Sequence, residues 1–235
     1  MINIILTTCN RLDFTRQSIE ALKERLTTPY RLIIVDNESN DGTLEYLLEL
    51  EKNEPDIYKV IVPSGHKTIS EAQDIGFQFV DGKYFIIMQD DIIIPKLEPD
   101  VIQHLIALME ANPDYAGISS RIQYIPNVNW SNGYLSEPST ALSAYFRINR
   151  TSDVKVMGGL GKRPRDDKEF LRRVKSIGKR CGWANNLWCN HLGHGIKDRG
   201  YKEYKRKWGV RADGTMNDGR QSPYPEINPI TNIPL

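Results

Sequence analysis

Four short, largely apolar runs set the tightest limit on what this chain can fold into. Ile2 to Thr8, Arg31 to Val35, Tyr58 to Val62 and Tyr84 to Met88 all have strand length. Between and after them lie segments with apolar residues at helical spacing: Leu12 to Leu26, a stretch from Asp41 through Leu44, Leu47, Leu48 and Leu50, Ile69 to Phe79, and Leu97 to Glu110. Strands that are apolar on both faces need cover on both faces. Their alternation with amphipathic helices indicates an α/β fold, a Rossmann-like and mostly parallel sheet with helices on either side. Ligands in such sheets bind beyond the carboxyl ends of the strands. The polar residues expected there are Thr7 to Arg11, Asp36 to Ser39 and Gln89 to Asp91, three separate segments on one edge.

The second half is less regular. Asn127 to Ser139, with Trp130 and Tyr134, reads as a loop over the site, Ala144 to Asn149 as a strand, and Lys168 to Ile177 as a helix. Residues 1–212 are expected to form one domain, with a first half to about 120 and a second from about 121. Residues 213–235, rich in Gly, Asn and Pro, read as an extended tail. No apolar run approaches the roughly 18 residues of a membrane span, and the first residues lack a signal peptide's basic start. Cys9, Cys181 and Cys189 are too few for a disulfide framework. The expected compartment is the cytoplasm, with peripheral membrane contact as a variant. Net charge is +1, yet Lys155 to Arg211 holds 17 Lys/Arg against 5 Asp/Glu. That asymmetry suits an anionic partner such as a diphosphate, a lipid phosphate, a membrane surface or a nucleic acid, or else a solvated basic face.

Chemistry concentrates at the strand ends. Asp90 and Asp91 follow an apolar strand directly, and adjacent carboxylates repel unless a cation or hydrogen-bond donors offset them. Mg²⁺ and Mn²⁺ suit such oxygen ligands and commonly bring substrate phosphates with them. A solvated turn is the plainer alternative. Asp36 can accept from a base N–H or a ribose hydroxyl, whereas Asp41 reads as a helix cap.

These segments, taken together, resemble glycosyltransferase family 2, whose members have the A-type glycosyltransferase fold. Thr7-Thr8-Cys9-Asn10-Arg11 resembles that family's opening strand motif. Val35-Asp36-Asn37-Glu38-Ser39-Asn40-Asp41-Gly42-Thr43 is similar to its V-D-(N/D)-x-S-x-D-G-T segment. Met88-Gln89-Asp90-Asp91 resembles its D-x-D metal motif, with Gln89 in place of the first carboxylate. Ala72-Gln73-Asp74-Ile75-Gly76 stands where A-R-N-x-G is usual, with Lys67 nearby. Met157-Gly158-Gly159 and then Asp166-Asp167-Lys168-Glu169-Phe170, Arg173 and Gly178 resemble the later G-G and E-D-x-D-L-x-x-R-x-x-x-x-G stretch. His191-Leu192-Gly193 resembles its late histidine.

The resemblance implies a nucleotide-sugar-binding half followed by an acceptor half, and an inverting, metal-dependent transfer. Asp167, with Asp166 as competitor, takes the catalytic base. Thr7, Thr8, Cys9, Asn10, Arg11, Asp36, Asn37, Ser39, Lys67 and Asp90 line the nucleotide-sugar site. Asp91 and His191, with His194 as the rival histidine, hold Mn²⁺ or Mg²⁺. Trp183, Trp188, Trp130 and Tyr134 can stack on a sugar or base, or pack in the core. The expected donor is a UDP-sugar, and the expected acceptor a saccharide or lipid-linked glycan ahead of nucleic acid or protein. Two rival readings are weighed. A nucleotidyltransferase would carry a Gly-rich loop after its first strand, and Thr7 to Asp13 contains no glycine. A non-catalytic nucleotide-sugar-binding protein would show departures such as Gln89 and Gln73.

Overall fold

The computed structural model describes residues 1–122, 135–138, 142–161 and 166–192. Strand β1 (Ile2–Thr8) lies between β2 (Tyr30–Asp36) and β4 (Tyr84–Gln89), parallel to both, and β3 (Tyr58–Ile61) adds in parallel outside β2. Beyond β4 the sheet becomes mixed. Strand β8 (Phe146–Arg150) is antiparallel to β4 and to β6 (Tyr115–Ile122), and β9 (Arg180–His191) is parallel to β6. Two short strands, β5 (Ile92–Ile93) and β7 (Leu135–Ser136), are each antiparallel to β9. The order is β3-β2-β1-β4-β8-β6-β9-β5. The expected α/β sheet is present; its parallel character belongs to the first four strands, and the chain near residue 120 continues the same sheet.

Side chains alternate across each strand and feed two cores. Ile2, Ile4 and Leu6 of β1, with Leu32 and Ile34 of β2 and Ile86 and Met88 of β4, pack on one face. That face is covered by α1 (Leu12–Arg25), α2 (Thr43–Asn53) and α4 (Val101–Ala111), through Ile19, Leu22, Leu47, Leu105 and Met109. Ile5, Ile33, Phe85 and Ile87 point the other way, toward α3 (Ile69–Phe77), α5 (Thr151–Val156) and α6 (Asp166–Ser176). Helix α3 comes so close that a Cβ on Gly76 would lie 2.7 Å from Ile5 Cγ2. No described helix is long and apolar enough to cross a membrane.

The expected helix from Leu97 starts later, at Val101. Pro99 disfavours helical backbone in the residue before it, and Asp100 forms the cap. Asp100 is fully buried. Its Oδ1 accepts from the N–H groups of Ile102 and Gln103 and from the Thr28 hydroxyl, and its Oδ2 from the N–H groups of Thr27 and Thr28. Burial alone would push this carboxyl up, but the bonds from Thr28, Gln103 and Thr27 outweigh it and bring it down to about 2. The folded value thus lies below the unfolded one of 3.8. The ionised carboxylate therefore stabilises the fold above about pH 4, and that contribution fades as pH falls toward the folded value. Asp100→Ala should destabilise the chain by on the order of 2 kcal/mol or more at neutral pH. Urea denaturation should show the gap to the parent narrowing once pH drops below about 4.

Candidate active site at the carboxyl edge of the sheet

Parallel register brings the polar strand ends level, with Thr8 beside Asp36 and Thr7 beside Gln89. Thr7 is half-buried at that edge, Cys9 is buried, and the Thr8 hydroxyl bonds to that of Thr15 at 2.8 Å. Asp36 is fully buried. Its Oδ1 accepts from Ser39 N–H at 2.9 Å, while Oδ2 has no hydrogen-bond partner among the described residues. Burial pushes this carboxyl up, and the bonds from Ser39 only partly oppose the shift. An acceptor oxygen left without a donor inside a protein costs roughly 1–3 kcal/mol, so the position is suited to a ligand N–H or O–H.

Several residues expected to touch the nucleotide tie the edge loops to one another. Asn10 N–H donates to Ser39 Oγ at 2.9 Å, and Asn40 N–H donates to Asn10 Oδ1 at 2.6 Å. Asn37 grips the Lys67 backbone at both ends, accepting from its N–H at 2.9 Å and donating to its carbonyl at 2.8 Å. Asp41 accepts from Thr43 N–H at 3.0 Å and Leu12 N–H at 3.2 Å, so it serves the starts of α2 and α1 together. Asn10 and Glu38 have φ of 55° and 66°. Such left-handed backbone in non-glycine residues persists only where the surroundings hold it.

Arg11 stands between the two adjacent carboxylates. Nη1 donates to Asp90 Oδ1 at 2.8 Å and Nη2 to Asp91 Oδ2 at 2.6 Å, and the guanidinium lies 4.7 Å from the Phe14 ring centre. All three charged groups are buried. Burial raises the Asp90 carboxyl's pKa, Arg11 opposes that shift, and Asp91 reinforces it. Arg11, expected in the nucleotide-sugar site, is bonded to the acidic pair in this structure.

His191 reaches this group through strand pairing, because it lies opposite Ile92, the residue after Asp91. Leu192 N–H donates to the Asp91 carbonyl at 2.8 Å. His191 Nε2 then sits 3.3 Å from Asp91 Oδ1 and 3.2 Å from Gln89 Oε1, with the Tyr145 ring at 5.1 Å. Among the described residues no three His, Cys, Asp or Glu side chains gather closely enough to hold a metal. The pair nonetheless has suitable spacing: two ligands each about 2.1 Å from one small cation lie roughly 3–3.4 Å apart. Gln89 was read as a departure, yet its amide oxygen faces the same point. The signal was its place as the last residue of β4, level with Thr7.

Asp166 opens α6, and Asp167, half-buried, follows in its first turn; the Asp167 carbonyl accepts from Leu142 N–H at 3.4 Å. Trp183 is half-buried beneath the Arg121 guanidinium at 4.9 Å, and Trp188 is half-buried in β9. His194, Trp130, Tyr134 and the expected tail 213–235 lie outside the described residues.

The fold has known counterparts. The chain is similar in fold to a mannosyltransferase, PcManGT, from Pyrobaculum calidifontis in complex with GDP-Man and Mn2+ (TM-score 0.71, 16% identity, 87% of this chain and 59% of that one). It is also similar to S. aureus TarS 1-349 (TM-score 0.65, 14% identity, 88% and 63%). A third likeness is to GalNAc-T7 with UDP, GalNAc and Mn2+ (TM-score 0.67, 13% identity, 81% and 43%). The chain thus spans about three fifths of the length of the first two. No curated protein matches it in sequence. The model of the family described as "Glycosyl transferase family 2" matches residues 3–167, and the chain belongs to that family of glycosyltransferases.

Proposed function

We propose that this glycosyltransferase moves a sugar from a nucleotide-sugar, a UDP-sugar first, to an acceptor hydroxyl with inversion at the anomeric carbon. The observation that carries the reading is the carboxyl edge. A buried Asp36 oxygen without a donor sits level with Thr8, and the Asp91–His191 pair stands with Gln89 at the end of β4. Asp36 would take a hydrogen bond from the nucleoside. Asp91 and His191, with the Gln89 oxygen, would hold Mn²⁺ or Mg²⁺, and the donor's phosphates would complete its coordination. The bound cation supplies charge neutralisation for the departing diphosphate. GDP-Man or UDP and Mn2+ in the two neighbours named above support a nucleotide and a divalent metal.

Asp167 would act as base. Its carboxylate takes the acceptor hydroxyl's proton as that oxygen bonds to the anomeric carbon, and the bond from that carbon to the phosphate oxygen breaks with its electron pair leaving on the diphosphate. The basic stretch from Lys155 to Arg211 favours an anionic acceptor, a lipid-linked glycan or charged saccharide ahead of nucleic acid or protein. A second reading, nucleotide-sugar binding without transfer, is favoured by one observation: Arg11 already supplies a buried positive charge to Asp91, through Oδ2. Screening nucleotide-sugars for Mn²⁺-dependent thermal stabilisation, then following release of free diphosphate, separates the two.

Asp36→Ala should weaken both UDP and UDP-sugar by about 10- to 100-fold, the cost of roughly 1.5–3 kcal/mol for a charged hydrogen bond. Calorimetry measures it, and a change confined to sugar preference would refute the nucleoside contact. Asp167→Asn should keep donor affinity and lower kcat by ~10²-fold or more. Unchanged turnover would remove Asp167 as base. Arg11→Met leaves two buried carboxylates without their cation and should cost about 3–5 kcal/mol. Mn²⁺ should restore part of that loss in thermal melts, and more for Arg11→Met than for Arg11→Met with Asp91→Ala.

A further inference from the structure

Resting on the reading of Asp167 as base, we propose that Asp74 is a positioning residue that latches the base-bearing helix to the donor half. Asp74 lies in α3, on the face turned toward the residue 157–161 turn. Its Oδ1 accepts from Leu160 N–H at 2.5 Å, and its Oδ2 faces Gly161 N–H at 3.4 Å. Two successive backbone N–H groups around one carboxylate form a small anion-binding concavity, and charge makes such bonds about twice as strong as neutral ones. The turn is shaped around that carboxylate. Gly159 has φ of 105°, and a Cβ there would lie 2.7 Å from Asp74 Oδ1 and 3.1 Å from Oδ2. Only glycine lets the backbone come so near.

The other side of the turn is held by α6 itself. Arg173 donates to the Met157 carbonyl, and a Cβ built on Gly161 would sit 3.6 Å from Ser70 Oγ on α3 and 3.8 Å from Arg173 on α6. The turn therefore wedges between the two helices. Helix α3 is in turn fixed at its start: Asn37, next to Asp36, grips Lys67, and Thr68 with Glu71 closes a reciprocal cap. A continuous line of bonded groups runs from the Asp36 segment through α3 and Asp74 to the helix that begins at Asp166. A carboxylate suits this latch better than an amide, since Leu160 and Gly161 both offer donors and an Asn would turn an NH₂ toward one of them.

The test compares Asp74→Ala, Asp74→Asn and Gly159→Ala in the full chain, with Asp167→Asn as reference. The donor is the UDP-sugar that stabilises the parent most. Donor affinity should stay within about twofold while transfer falls by about 10-fold or more, since small misplacements of reacting groups are costly. Hydrolysis of the donor by water should persist, so the ratio of transfer to hydrolysis drops. Asp74→Asn should lie between the parent and Asp74→Ala, and Gly159→Ala should add little to Asp74→Ala because both break the same bonds. Hydrogen exchange should quicken at Leu160, Gly161 and the first turn of α6 but not in α1. Transfer and hydrolysis falling together, in step with the folded fraction, would overturn the latch, as would unchanged exchange in α6. If Asp167→Asn keeps full transfer, the base assignment fails and takes the positioning role with it. If Asp167→Asn is inactive while Asp74→Ala keeps the parent ratio, only the latch fails.

Discussion

Two carboxylates cannot stay ionised side by side, away from water, without a positive partner, and the carboxyl edge of this sheet is organised around that constraint. Arg11 answers it by placing one guanidinium nitrogen on Asp90 and another on Asp91. The backbone around the acidic pair is pinned as well: Ser18 of α1 donates to the Asp90 carbonyl at 2.9 Å, and Leu192 N–H to that of Asp91. The end of β1, the first helix, the end of β4 and the last described strand therefore meet at two residues. Buried ion pairs of this kind cost desolvation and return it only with good geometry. The arrangement is best understood as fixing position rather than adding stability. It leaves Asp91 Oδ1 turned toward His191, which is what makes the cation reading coherent.

The loops above that edge hold one another by side chain to backbone bonds. Asn10, Ser39, Asn37 and Asp41 each satisfy groups on a neighbouring segment. Preformed loops leave less entropy to lose when a ligand binds. The left-handed φ of Glu38 fits the same picture, because a residue with a long side chain adopts it only when its neighbours are already fixed. Asp36 is the exception in this net. One of its oxygens is spent on the Ser39 turn and the other, buried inside the protein, has no hydrogen-bond partner among the described residues.

Much of this was legible in the sequence, for physical reasons that differ from place to place. Strands β1, β2 and β4 announce themselves because both of their faces are largely buried and their residues are mostly apolar, and the half-buried edge strand β3 keeps enough of that character to be read. Strands β6 and β9 do not. All eight residues of β6 are buried, yet Ser119, Ser120 and Arg121 are among them, with the Ser119 hydroxyl donating to Ser143 and Arg121 to Ser136 and Asn185. A polar interior satisfied by distant partners leaves no period to read. Strand β9 also carries Gly182, where a Cβ would lie 2.8 Å from the Tyr115 ring, and its register shifts opposite Ser120 and Arg121. Motif spacing singled out Asp36, Asp91 and His191, which the fold brings to one edge. It could not find that Arg11 belongs to the acids or that Asp74 belongs to the glycine turn, since both depend on contacts more than 70 residues apart.

The pairing of β5 with β9 has a consequence for how the molecule comes into being. Strand β5 is two residues long, and its partner lies about a hundred residues further on. Contacts so far apart in the chain form late, because a long loop must close before they reward it. On the ribosome, the segments bearing Asp36, Arg11 and Asp91 emerge well before His191. The acidic pair therefore meets its arginine first and its histidine only when the last described strand slides in beside β6. Until then a nascent chain has its carboxylates guarded by an internal cation, and the approach of His191 to Asp91 arrives only with completion of the sheet.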